Sequence, residues 1–325
     1  MSRAGWTVLG AALVLAACAD ETPAPAGAPE PSAGPSSVVL RPVPTEPTIA
    51  FSVSFGVGSQ DDPPGKEGLA FLTGQMIADA STQRLSYDQI LDALYPLASG
   101  YAARVDKETT TLTGRTHRDN IAAYFDLLTD AYLRPAFAAS DFERIKNDAI
   151  NYLQNSLRYA SDEELAKAVL TEMIFRGTRY AHPVAGTVAG LRSITLEDVE
   201  AFYRRHYTAA NATLGLAGGY DDALVARFEA TLESLPEGAA VADPAVEPAV
   251  EPAGWEGTEL LLVAKPGADA SISFGFPLDV RRGERDFYAL WVANSWLGEH
   301  RNQAGRLFQV IRGERGLNYG NYSYL

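Results

Sequence analysis

Between residues 48 and 57 apolar and polar side chains alternate without a break, with Ile49, Phe51, Val53, Phe55 and Val57 on one side. A period of two predicts a strand with one buried face. The turn-forming run Asp61-Asp62-Pro63-Pro64-Gly65 follows, and beyond it Leu69, Leu72 and Met76 recur at helical spacing within 66–80. Further helices are predicted over 87–97 and 117–133; in the latter Ile121, Tyr124, Phe125 and Leu128 make an i, i+3, i+4, i+7 stripe. Between them 101–105 and 109–115 read as paired strands, the second with Thr at alternate positions. Residues 140–158, 162–175 and 195–203 are amphipathic helices, the last opened by Thr195 and Asp198 in a capping-box arrangement. A strand at 211–217 and a helix at 221–235 close this region.

Two stretches interrupt the rhythm. Residues 19–47 are dominated by Pro, Ala, Gly and Ser, and 236–255 contain Val-Glu-Pro-Ala-Val-Glu-Pro; such compositions cannot bury enough apolar surface to fold. They predict a tether and a linker. After the linker the order recurs, with strands at 258–264 and 271–276, a helix over 284–297 and a strand-like ending at 322–325. The expected domains are 48–235 and a second, related one begun at 256–325 and apparently truncated, since about 70 residues make a marginal domain alone. Strands and helices alternate without a parallel βαβ rhythm, so the fold class is α+β, with antiparallel-rich sheets packed with helices in two layers.

Composition narrows the function. A chain of 325 residues with 46% apolar content can bury a core, whereas a formal net charge of -14 argues against a nucleic-acid surface. At the N-terminus Arg3 precedes a short apolar run, too short to span a bilayer, and Leu15-Ala16-Ala17-Cys18 resembles the lipobox of bacterial lipoproteins. Residues 1–18 are then a signal peptide with Cys18 as the lipid attachment site, the alternative being an ordinary cleaved leader with an incidental Cys. The first reading puts the chain in the bacterial cell envelope, lipid-anchored to a membrane and facing an extracytoplasmic space on the periplasmic side. Cys18 is the one Cys, so no intramolecular disulfide can form. His117, His182, His206 and His300 are scattered with no i, i+4 pair, and the nucleophile-elbow, P-loop and dinucleotide motifs are absent.

One segment carries a resemblance. Gly58-Ser59-Gln60-Asp61-Asp62-Pro63-Pro64-Gly65-Lys66-Glu67-Gly68-Leu69-Ala70 is similar to the run preceding the zinc motif of M16 peptidases, the insulinase-like or pitrilysin family. In active members His-x-x-Glu-His follows. Two His one helical turn apart grip Zn²⁺ from one face, and the Glu serves as general base to the metal-bound water. A Glu from a later helix is the third ligand. Here the corresponding residues are Phe71-Leu72-Thr73-Gly74-Gln75, and the downstream position falls at Tyr152 to within a residue or two, with Asp148 the nearest acid. Phe71, Gly74, Gln75 and Tyr152 therefore make a degenerate metal position, and Phe71 and Leu72 also read simply as helix core. The stretch from His182-Pro183-Val184-Ala185-Gly186-Thr187 through Phe202-Tyr203-Arg204-Arg205-His206-Tyr207 to Asn211-Ala212 also resembles the family.

Near the end, Arg312 and Tyr319 resemble the Arg and Tyr pair with which M16 enzymes contact the substrate backbone and oxyanion from the domain facing the zinc. On composition alone they are a solvated charge and a strand aromatic; the family context reverses that preference. The resemblance implies a pseudo-metallopeptidase with no catalytic residue of its own and no zinc. It would pair as a heterodimer with a zinc-bearing homologue, and Arg312 and Tyr319 would bind peptide substrate in trans to form a metalloendopeptidase. The alternative is a non-catalytic peptide-binding or scaffold lipoprotein.

Overall fold

The computed structural model describes residues 37–236, 257–266, 270–299, 302–318 and 320–325. Residues 1–18, read as a signal peptide ending at Cys18, lie outside the described residues, as do most of the expected tether, nearly all of the expected linker, His300 and Tyr319.

A five-stranded sheet forms the frame. Its strands are β1 (Ser37–Pro42), β2 (Thr48–Phe55), β3 (Gly100–Val105), β4 (Thr110–His117) and β5 (Ala212–Gly218), in the order β1-β5-β2-β4-β3. Only the β1–β5 pair is parallel; the other pairs are antiparallel. The alternation in β2 does what its period requires: Ile49, Phe51, Val53 and Phe55 are buried, and Ser54 on the opposite face bonds Thr111 of β4 at 2.9 Å.

Helices lie on the apolar face and around it. They are α1 (Leu69–Ala78), α2 (Tyr87–Leu94), α3 (Ile121–Leu133), α4 (Ala139–Asn151), α5 (Asp162–Ile174), α6 (Val188–Ser193), α7 (Leu196–His206) and α8 (Asp222–Glu233). Phe228 of α8 stacks on Phe51 with ring centroids 5.1 Å apart, and Tyr124 of α3 lies 5.4 Å from the same ring. Gly114 stands opposite Phe51 in the ladder; a β-carbon there would fall 1.8 Å from the Tyr124 hydroxyl, which donates to Gly100 O at 2.9 Å. The helices and the sheet thus make the two-layer α+β domain expected, with its core on one side of the sheet.

Several expectations are corrected. Residues 37–42, assigned to the tether, form β1, because Val38, Val39 and Leu40 can satisfy their backbone against β5 despite their Pro- and Ser-rich surroundings. Helix α6 was not anticipated; it is only six residues, opened by Thr187, whose hydroxyl accepts from Gly190 N at 2.9 Å. The helix over 140–158 does not continue as α: Tyr152–Ala160 is wound as a π-helix. After the linker, 258–264, 271–276 and 322–325 are not strands, since among the described residues no ladder pairs them, and Leu260, Leu262, Ile272 and Phe274 remain exposed. A helix does form there, α9 (Arg285–Gly298).

Candidate functional site

Helix α1 starts where Gly68, at φ 110°, turns the chain inward. Its free N–H groups are met by Asp62: Oδ2 accepts from Gly68 N and Oδ1 from Ala70 N, each at 2.7 Å. Burial nevertheless dominates, and pushes the Asp62 carboxyl up to about 7 against those two bonds. Lys66 is held by Asp198, the acid of the Thr195 capping box on α7. The run on which the family resemblance rests is therefore the device that fixes the direction of α1.

So fixed, α1 lays Phe71, Gln75 and Asp79 along one wall of a cavity of about 760 Å³. Helix α4 brings Arg144, Asp148 and Ala149 to it, and α5 brings Glu164, Lys167 and Thr171. Tyr152 and Leu157 enter from the π-wound turn, whose i→i+5 pattern sets residues five apart on one side. Pro183, Val184 and Ala185 close it from the segment similar to the family. Three of the four degenerate positions, Phe71, Gln75 and Tyr152, thus converge on one cavity although one of them is far along the chain.

Gly74 does not join them. It faces the sheet, where a β-carbon would meet Val105 Cγ2 at 2.5 Å and Thr110 Cγ2 at 3.3 Å. Leu72 is fully buried, as its reading as core required. Gln75 donates to Ala103 O over 3.5 Å. None of Phe71, Gln75 and Tyr152 offers an imidazole or a carboxylate, and there is no space at position 74 for a general-base side chain without moving Val105. Among the described residues, no three His, Cys, Asp or Glu side chains stand close enough to hold a metal ion. The side chains of Phe71, Gln75 and Tyr152 do not fit the His and carboxylate set of a family zinc site.

The cavity's charged groups are unevenly paired. Arg144 donates to the backbone O of Asp79 and to Asp141 at 3.2 Å. Lys167 bonds Glu163 at 2.6 Å and Glu164 at 2.8 Å. Asp79 receives only a long bond of 3.5 Å from the Tyr87 hydroxyl, and burial raises its carboxyl pKa while Arg144 opposes the rise. Arg312 is not in this cavity wall; it lies in the π-wound Phe308–Glu314 and donates to Gly316 O at 3.3 Å. Asp148 was noted in the sequence only as the nearest acid. Its convergence with Asp79 and Glu164 had no signal in spacing, since three separate helices supply them.

The sequence matches two descriptions of one family. Residues 37–188 match insulinase (peptidase family M16), and residues 193–325 match the peptidase M16 inactive domain. The second match begins ahead of α7, β5 and α8, which complete the first sheet and its helical layer. An uncharacterized zinc protease of Streptomyces coelicolor is 25% identical over 88% of this chain and 62% of its own, and one of Bacillus subtilis is 25% identical over 88% and 67%. The chain thus spans about two thirds of these relatives' length. The beta subunit of the Dictyostelium discoideum mitochondrial-processing peptidase is 23% identical over 54% of this chain and 38% of its own. Among solved structures, a peptidase M16 inactive domain from Pseudomonas fluorescens superposes with a TM-score of 0.69 at 22% identity, over 89% of this chain and 68% of that one, a likeness of fold.

Proposed function

Because the chain belongs to the M16 (insulinase) peptidase family, we propose that it is a zinc-free subunit that pairs with a zinc-bearing homologue and helps to hold peptide substrate for hydrolysis there. The observation that carries this reading is the cavity wall: Phe71, Gln75 and Tyr152 stand together where the resemblance puts the family's metal ligands. A relative whose name makes it one subunit of a processing peptidase supports pairing. In this reading the partner supplies metal, nucleophilic water and general base. Arg312 and Tyr319 supply donors to the peptide backbone and to the oxyanion, since a guanidinium and a phenol both donate without help from a metal on their own chain. Cys18 carries the lipid that keeps the pair at the bacterial envelope.

Co-purification with a candidate M16 homologue bearing an intact His-x-x-Glu-His motif tests the reading. The pair should cleave peptides and neither chain alone should. Arg312→Ala and Tyr319→Phe should each lower kcat/KM by about 10²-fold, as loss of one oxyanion donor does. Unchanged hydrolysis by both variants removes the proposed role, and stoichiometric zinc in the isolated chain, with chelator-sensitive activity, removes the whole reading.

A second reading is a peptide-binding or scaffold lipoprotein with no part in hydrolysis. The cavity favours it to the extent that Phe71, Leu157, Ala168 and Val184 line it beside charged groups, a surface that can hold a peptide without a metal. Peptide binding without cleavage under any partner or metal condition distinguishes it.

A further inference from the structure

We propose that the cavity between α1, α4 and α5 is a pocket for a basic side chain of a bound peptide, a Lys or Arg, whose cationic head meets Asp148 and whose stem lies against Phe71 and Tyr152. The proposal deepens the reading above in one respect, since it supposes that the cavity faces peptide. Where the family resemblance puts a divalent cation, this chain would hold a monovalent organic one.

The charge count gives the sign of the guest. Three carboxylates, Asp79, Asp148 and Glu164, share the wall with two cations, Arg144 and Lys167. Both cations are already engaged, Arg144 with Asp141 and Lys167 with Glu163 and Glu164, so two further carboxylates from just outside the wall are drawn in as well. Among the described residues no ion pair holds Asp148. An anionic guest would meet a net negative wall, whereas a cation would give the exposed Asp148 an ionic partner.

Size and lining give its class. A volume of about 760 Å³ exceeds what a metal ion or a small ammonium needs. Ala149, Leu157 and Ala168 line the cavity with Phe71 and Tyr152, and a long methylene stem is what such a surface covers while a charged head reaches past it. The two aromatic rings add an attraction for a cation near their faces, which a norleucine or a citrulline lacks. Asp79 gains too: its half-buried carboxylate has a weak partner in Tyr87, and a cation entering the cavity would offset part of the cost of its desolvation.

The test measures the affinity of the full chain for an N-acetylated, C-amidated heptapeptide with one central Arg, and for the same peptide with citrulline, which keeps the shape and removes the charge. Fluorescence anisotropy of dye-labelled peptides gives both Kd values. The Arg peptide should bind more tightly by about fivefold or more, the worth of one partly exposed ion pair of ~1 kcal/mol. Asp148→Asn should bring the ratio close to one. Asp92→Asn, which removes an exposed carboxylate on α2 outside the cavity, should leave it unchanged. Equal affinity for the two peptides overturns the proposal, as does no binding of either. So does a ratio that survives Asp148→Asn, or one that falls as far in Asp92→Asn. These results are independent of hydrolysis by the assembled pair, so a failure here leaves the subunit reading standing, and the reverse holds as well.

Discussion

Gly74 shows how a single missing β-carbon ties the site to the fold. Val105 is β-branched and cannot swing away, so a β-carbon 2.5 Å from its Cγ2 must push α1 off the sheet. Overpacking of this kind costs about 1–3 kcal/mol, more than the ~1 kcal/mol that Ala gains over Gly in a helix. Gly74→Ala should therefore lower the urea midpoint, and adding Val105→Ala should restore part of the loss. If Gly74→Ala alone is stabilising, the packing argument is wrong. Grafting His-x-x-Glu-His onto residues 71–75 meets the same obstacle at its Glu.

Asp62 makes a prediction of the opposite kind, in pH. Its folded carboxyl is pushed up to about 7 from 3.8, so the folded state binds the proton more tightly than the unfolded chain does. The corresponding stability is complete below about pH 4 and is lost as pH rises through 7, by up to about 4 kcal/mol for a shift of this size. Urea titrations from pH 5 to 8 should show declining stability. Asp62→Asn, which keeps one acceptor for Gly68 or Ala70 N, should be less stable at pH 5 but nearly flat across the range. A wild-type curve that rises over the same interval contradicts the assignment.

At the scale of elements, legibility followed periodicity. β2 was visible because its alternation runs unbroken, and α7 because Thr195 and Asp198 announce its start. In the structure Asp198 Oδ2 accepts from Thr195 N at 2.9 Å, Thr195 Oγ1 accepts from Asp198 N at 3.2 Å, and Lys66 adds a charge to the pair. Thr195→Ala should cost about 1 kcal/mol, seen as a lower melting temperature, and Thr195→Ser should recover most of it. What lacked a period was missed. Three apolar residues in a Pro- and Ser-rich run gave no warning of β1, and six-residue α6 is too short for a stripe. The π winding after Asn151 has no signature in a pattern read at 3.6 residues per turn. The reverse error fell on 258–264 and 271–276, where apolar residues promised strands. A strand is made by its neighbour, and no composition supplies one. The site divides similarly: the three degenerate positions were found by spacing against a known motif, whereas the carboxylates of three helices meet only through tertiary packing.

At the scale of the whole molecule, two M16 matches bracket a chain whose first folded layer crosses the boundary between them, because β5 and α8 belong to the second match and to the first sheet. That arrangement has a consequence for biogenesis. β5 is last of the five in the chain, yet it inserts between β1 and β2, so an interior position of the sheet waits for its latest-made strand. Until residues 212–218 have been synthesised, β2 presents an open edge ending in Val53 and Phe55, and β1 has nothing to pair with. Contacts this distant in sequence close slowly, and an unfilled slot accepts any passing strand. A nascent chain with this topology keeps an interior slot of its sheet open until residues 212–218 arrive, so mispairing is a hazard for most of its synthesis.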